Sequence, residues 1–238
     1  MVSRLPRWVE YGAFTLALLA GLINAVGMLG VQHQAISHLT GIATLLGSEL
    51  LVSPLRALDL FGILISFVLG AAVSGYFLPS YSLKLGRHYD SLLLMEGSLL
   101  VMAAYALSEG SLAGHYLASA ACGMQNAFAT RYSGAVVRTT HLTGIFTDLG
   151  IMLGGLLKGE SVNGRRVLLF LLIVVGFLLG GVLGAVLYAW IGFVALIIPA
   201  IVCYILAIVY WAYRRRTQAA MRRLRQSRRQ QRQSRAPH

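Results

Sequence analysis

Residues 38–47 read HLTGIATLLG and residues 141–150 read HLTGIFTDLG, identical at eight of ten positions with no gap. Apolar composition alone does not give an ungapped match of that kind, so a segment has been duplicated. Two further blocks keep the same order. GLINA (21–25) answers GMQNA (123–127) upstream, and FVLG (67–70) answers FLLG (177–180) downstream. The chain therefore divides into a first unit, 1–109, and a second, 110–213, with a segment 214–238 appended.

Both units are built for lipid rather than water. Of 238 residues, 57% are hydrophobic and 12% charged, against roughly 25% charged in an average soluble domain. The formal net charge of +12 invites a nucleic-acid reading, but ten of the twenty Lys and Arg lie between Arg214 and Arg235. Basicity is thus a property of the tail, and without interleaved aromatic residues the tail is a poor nucleic-acid binder. It is expected to be disordered or surface-bound on the cytoplasmic side, touching anionic lipid. Cys122 and Cys203 lie in apolar stretches without metal or redox spacing and read as small packing residues. There is no H-E-x-x-H, G-x-S-x-G or P-loop motif, so neither an enzyme, a metal nor a cofactor is expected.

Apolar stretches fall at about 11–30, 38–52, 57–78, 89–107, 111–130, 141–157, 167–190 and 191–213. Six are long enough for a hydrocarbon core of about 30 Å. The two that begin at His38 and His141 reach only about 22–26 Å before Pro54 or the Lys158-Gly159-Glu160 break. The first stretch follows Arg4 and Arg7 as a signal peptide would, but its length and its recurring residues keep it as a span. Charge placement decides whether the short stretches cross. If all eight cross with the N-terminus inside, the inner loops hold six cations and the outer loops four. If the short stretches dip in and return, Arg4, Arg7, Lys84, Arg87, Arg131, Arg138, Lys158, Arg165 and Arg166 are inside, and Arg56 alone is outside. Nine against one is the stronger positive-inside bias. Each unit then has three full spans, an odd number, so the second is inverted relative to the first. The expected fold is an all-α polytopic membrane helix bundle with six full spans plus two short re-entrant or half-length helices, arranged as two inverted repeats.

Interrupted helices in inverted repeats are a recurring plan of transporters and channels, with the site at the repeat interface. A half-helix that starts near the midplane leaves its first N–H groups unpaired and directs its positive end there. Ser37 and Thr140 precede the two histidines as N-cap residues. The expected solute site is His38, Thr40 and Gly41 with His141, Thr143 and Gly144, joined by Asn24 and Asn126 as polar groups within spans. The alternative is that these are folding devices, in which His and Thr satisfy local backbone and Gly permits close approach. Thr40, Thr44 and Gly47 share one face, as do Thr143, Thr147 and Gly150, and such stripes usually pack on another helix. Asp148 lies on the His141 face where the first copy has Leu45. It is either a proton or cation site, or a group paired with Arg131 or Arg138. Glu49 and Glu96 rank behind it. Gly176, Gly180 and Gly184 form a close-packing face, used internally or at a subunit contact, so a homo-oligomer stays open.

Taken together, GLINAVG, the repeated HLTG blocks and GMQNA followed by RTTHLTG (138–144) resemble the YoaK family of bacterial membrane proteins, a domain of unknown function, over roughly residues 10–210. The resemblance implies six spans and a bacterial cell (inner) membrane location, and it brings no catalytic residues. Family members often carry Asn after the first Thr-Gly, where this chain has Ile42, so no polar role is expected there. The functional expectation is a passive or proton-linked carrier or channel for an unidentified small solute. Its alternative is a non-transporting scaffold or regulator acting through the Arg-rich tail.

Overall fold

The computed structural model describes residues 8–30, 36–78, 88–132 and 138–233, and the described residues are helical with no strand. The loop cations Arg4, Arg7, Lys84 and Arg87 lie outside the described residues, as do the side chains beyond Thr217. Eight helices follow one another: α1 (Trp8–Leu29), α2 (Leu39–Glu49), α3 (Pro54–Phe77), α4 (Tyr89–Ser108), α5 (Ala113–Tyr132), α6 (Leu142–Leu157), α7 (Gly164–Ile191) and α8 (Ile197–Gln233).

Four stretches are long and apolar enough to cross a bilayer: Val9–Leu29, Pro54–Phe77, Tyr89–Ser108 and Gly164–Thr217. The last has 54 residues, more than double the roughly 20 that one crossing needs. Gly192 divides it, with φ 58, a conformation that glycine adopts without a Cβ penalty. A single 3-10 turn, Gly192–Leu196, then separates α7 from α8. α5 matches α4 in length at 20 residues, but His115, Gln125, Asn126 and Arg131 lower its apolarity. α2 and α6 have only 11 and 16 residues. Large apolar side chains such as Leu58, Leu69, Leu178, Val182 and Ile208 are exposed all round the bundle. A soluble monomer does not sustain so continuous an apolar surface. The protein is a helical membrane bundle.

Local chemistry sets the helix ends. Pro54 starts α3, where its missing N–H costs nothing. Asn163 caps α7, its Oδ1 accepting from the N–H groups of Arg165 at 3.1 Å and Arg166 at 3.3 Å. Gly159, at φ 80, closes α6: its N–H donates to Leu156 O and that of Glu160 to Gly155 O, a Schellman end. At the other end of the chain α8 does not stop at Tyr213. Its backbone stays helical to Gln233.

Lipid tails are as apolar as leucine, so helices associate in a bilayer by close backbone approach and hydrogen bonds rather than by hydrophobic burial. The two largest interfaces, α1 with α7 and α3 with α5, have this character. A Cβ at Gly21 would collide with the carbonyl of Phe177, and one at Gly180 with the carbonyl of Leu18. Across α3 and α5, Gly123 stands in the same way against Phe67 O and Gly70 against Ala120 O. Gly176 and Gly184 extend the α7 face against Phe14 O and Leu22 O, so this glycine face is internal packing.

The core has two layers. In one, the starts of α1, α4 and α7 (Val9, Leu92, Phe170) meet the ends of α3 and α5 (Leu78, Phe128). In the other, the ends of α1 and α4 (Val26, Leu107) meet the first half of α5 (Ala118) and the start of α8 (Ala200). α4 and α8 run antiparallel, since Asp90 reaches Arg214 while Gly97 lies against Ala200. α2 packs on α3 through Ile42, Leu60 and Ile63. α6 seats Ile145 in the first layer near Leu169 and Phe170.

Candidate functional site

His38 and His141 are the N-cap residues of α2 and α6, with similar backbone angles: φ −89, ψ 69 and φ −97, ψ 51. Neither side chain accepts a capping hydrogen bond. Instead each imidazole folds over the glycine three residues on. A Cβ at Gly41 would lie 2.6 Å from His38 Nδ1, and one at Gly144 would collide with His141 Nε2. With each imidazole in this position, a side chain at Gly41 or Gly144 would require the exposed ring to turn away. The first-turn N–H groups of Leu39, Thr40 and Gly41, and of Leu142, Thr143 and Gly144, have no helical acceptor.

Ser37 and Thr140 are not the caps. The Ser37 hydroxyl turns back to α1, where Asn24 Oδ1 accepts from Ser37 N at 3.0 Å and from Ser37 Oγ at 3.2 Å. Asn24 thus ties the start of α2 to α1, the structural alternative to binding solute. The second copy lacks that tie. Asn126 Oδ1 has no hydrogen-bond partner, nor has Thr139 Oγ1, which is fully buried beside the start of α6.

The threonine stripes face outward. Thr40, Thr44 and Gly47, and likewise Thr143, Thr147 and Gly150, are exposed, with nothing within 4 Å of a Cβ at either of these glycines. Thr44 and Thr147 donate to the carbonyls of Thr40 and Thr143, each at 2.9 Å, so the hydroxyls are satisfied within their own helices. The expectation that the stripes pack on another helix of this chain is corrected. Nor do α2 and α6 form a packing interface with one another, since α2 rests on α3 and α6 on α7.

Asp148 is neither free nor paired with Arg131 or Arg138. Its Oδ2 meets Arg166 Nη2 at 3.1 Å, with both side chains close to half exposed. Arg131 donates to the carbonyl of Leu78 at 2.6 Å. Glu49 makes a matching pair with Arg56 at 3.2 Å. Arg56 and Arg166 each stand eleven residues before the matched Phe67 and Phe177. Glu49 lies eleven residues after His38, whereas Asp148 lies seven after His141. Counted from the two histidines, the carboxylates are offset by four residues, about one helical turn.

The structure raises three polar residues that the sequence ranked low or did not single out. Glu96, His115 and Gln125 are buried, and none of their side-chain polar atoms meets an N–H or O–H partner, with only the Cys203 thiol beside Glu96. Glu96 stands in LLLMEGSLL (92–100), where a carboxylate amid leucines is visible, but it lies outside the duplicated blocks. Cys122 and Cys203 are free and buried, as their apolar context implied.

A bundle of membrane helices that includes two short helices, α2 and α6, is the class that the fold defines. Within it, the chain belongs to the family of proteins of unknown function designated DUF1275, whose model matches residues 12–209. The match covers nearly the whole stretch over which the sequence resembles the YoaK type. No curated protein and no solved structure matches the chain.

Proposed function

We propose that the protein is a carrier or channel for a small solute, built as two inverted repeats in the bacterial inner membrane with both termini cytoplasmic. α1, α3, α4, α5, α7 and α8 are its six full spans, and α2 and α6 enter from opposite faces and return. The observation that carries this reading is the exchange of glycine contacts between the copies. Gly21 of the first copy lies on Phe177 of the second, and its counterpart Gly123 lies on Phe67. Leu18 and Ala120 each stand three residues before those glycines, and they receive Gly180 and Gly70. Two copies that swap the same contacts are related by a twofold axis. Helix direction agrees with this, because eight crossings would make α4 and α8 parallel and six make them antiparallel.

The solute site in this reading lies between the starts of α2 and α6, with His38, Thr40 and Gly41 on one side, where Asn24 holds Ser37 in place. His141, Thr143, Gly144 and Asn126 stand on the other, and Asp148 sits one to two turns along α6. The unpartnered Asn126 Oδ1 and Thr139 Oγ1 favour the second copy as the side that receives a hydrogen-bonding solute. Purified protein is to be screened by thermal unfolding against amino acids, sugars, nucleobases, monocarboxylates and inorganic ions. A bound compound raises the midpoint, and its uptake into proteoliposomes should fall in His141→Ala and Asp148→Asn. Uptake insensitive to both changes would remove the site assignment, and no uptake of any compound would remove the transport reading.

A second reading, a membrane scaffold or regulator, draws on α8, which carries the basic segment onward as helix with Arg215 stacked 4.0 Å over Trp211. Cutting the chain after Thr217 is the discriminating variant, because a cut after Tyr213 would also strip Asp90 of its Arg214 partner at 3.2 Å. A phenotype lost on that truncation, with uptake unchanged or absent throughout, favours the scaffold.

A further inference from the structure

All the other acidic side chains have a cation, a hydroxyl or solvent beside them. Glu10 is held by Arg165, Glu49 by Arg56, Asp90 by Arg214 and Asp148 by Arg166. Asp59 accepts from Tyr116 Oη at 3.2 Å, and Glu109 and Glu160 are exposed. Glu96, midway along α4, is 0% exposed, and neither of its carboxyl oxygens meets an N–H or O–H donor; the Cys203 thiol, a weak donor, stands beside it.

Glu96 sits where α4 crosses α8. The next residue, Gly97, brings the backbone of α8 close, so that a Cβ there would lie 2.8 Å from the Tyr204 ring and 3.1 Å from Ala200 O. The titratable groups that border the carboxyl are the thiols of Cys203 on α8 and Cys122 on α5. Tyr204 is engaged with Ser98, at 3.3 Å between their hydroxyls. Leucine and alanine side chains, Leu100, Ala103 and Ala200 among them, complete this layer of the core. The 3-10 turn that also packs on α4 contains no titratable residue.

An unpaired carboxylate in such surroundings costs several kcal/mol, so the group requires a neutralising partner. A hard divalent cation takes six or more oxygens, and here one carboxyl stands beside two thiols. Among the described residues, no three His, Cys, Asp or Glu side chains gather to hold a metal. A proton needs only the carboxyl itself. We propose that Glu96 is a proton-exchange site at the α4–α8 crossing, binding one proton per chain and releasing it when the two helices part. What that proton drives rests on the carrier reading; the proton site does not. The chemistry is one carboxylate and one proton forming one carboxylic acid, with no other reactant.

The test uses the full-length protein in proteoliposomes and N,N′-dicyclohexylcarbodiimide, a lipid-soluble reagent. The O–H of a protonated carboxyl adds across one C=N bond, and an acyl shift leaves an N-acylurea on the side chain. Peptide mass spectrometry should find the adduct on Glu96 in preference to Glu10, Glu49 and Asp148. Above the pH at which the proton leaves, labelling should fall about tenfold per pH unit, and in Glu96→Gln it should be absent. No adduct on Glu96, or labelling constant over the whole pH range in which the protein stays folded, overturns the proposal. If Glu96→Gln does not fold, the pH profile of the wild-type peptide decides alone. Labelling that follows pH in a protein that moves no solute would leave the proton site standing and remove the carrier reading.

Discussion

Ser74 on α3 donates a 2.8 Å hydrogen bond to the carbonyl of Met124 on α5. At the matching place in the other helix pair, Gly184 of α7 approaches the carbonyl of Leu22 on α1, where a Cβ would lie 2.6 Å from the oxygen. Ser74 and Gly184 each follow their close-packing glycine, Gly70 or Gly180, by four residues. The two interfaces therefore share a geometry, and one uses a hydroxyl where the other uses bare backbone contact.

A ranking of substitutions follows from that geometry. Gly70→Ala and Gly180→Ala place a methyl group against backbone, which cannot move aside as a flexible side chain can, so each should cost about 1–3 kcal/mol or more. Ser74→Ala removes one interhelical hydrogen bond and should cost about 0.6 kcal/mol, the average for such bonds in a membrane protein. Gly47→Ala and Gly150→Ala meet open space and should leave the thermal midpoint in detergent unchanged or slightly raised. Equal losses at Gly47 and Gly180 would show that the glycine contacts do not hold the bundle.

The histidine and glycine of each HLTG start should behave as a unit. Gly144→Ala puts a methyl group into the ring of His141, whereas His141→Ala removes the ring and the obstacle together. The double variant His141→Ala with Gly144→Ala should therefore recover most of the stability lost in Gly144→Ala, giving a coupling of about 0.5–3 kcal/mol. Additive losses in unfolding measurements would mean that the ring is not what holds position 144 to glycine. Because His141 also belongs to the proposed solute site, uptake should stay low in the double variant even where stability returns.

The four ion pairs among the described residues should differ in worth. Asp148 and Arg166 are 40% and 44% exposed, and Asp148→Asn should cost no more than about 1 kcal/mol. Glu10 and Arg165 are more enclosed, 17% and 29% exposed, and meet at 2.7 Å. Glu10→Gln removes the charge from this shorter and more enclosed pair, so it should lower the unfolding midpoint more than Asp148→Asn does. Exchanging the charges, Asp148→Arg with Arg166→Asp, separates structure from function. Uptake restored by the exchange would assign Asp148 to holding α6 on α7, and uptake still lost would keep it in the solute path.

Much of this was legible from residues alone. The lengths of the apolar stretches located every helix, and the match of GLINA with GMQNA and of FVLG with FLLG marked the glycines that the interfaces use. Contacts that depend on which residue the third dimension brings near were not legible. Nothing in the spacing pairs Asp148 with Arg166 across the α6–α7 turn, because the first copy places its carboxylate one turn further on, at Glu49. Ser37 reads as a cap because it is a serine before a helix, yet Asn24, thirteen residues upstream, takes its hydroxyl. Glu96 stood in plain view among leucines, but only burial by α5 and α8 separates a carboxyl with no neighbour but thiols from one that reaches solvent.

Topology admits the most direct test. Cys122 and Cys203 are fully buried, so a membrane-impermeant maleimide should leave the parent chain nearly unlabelled and report only introduced thiols. Ser53 lies between α2 and α3, and Ser161 between α6 and α7. With α2 and α6 entering and returning, Ser53→Cys should label from the outer face and Ser161→Cys only after the inner face is opened. Eight crossings would instead put both positions inside. Labelling of both from one side would therefore remove the inverted relation between the copies, and with it the shared midplane region toward which the two HLTG starts are proposed to point.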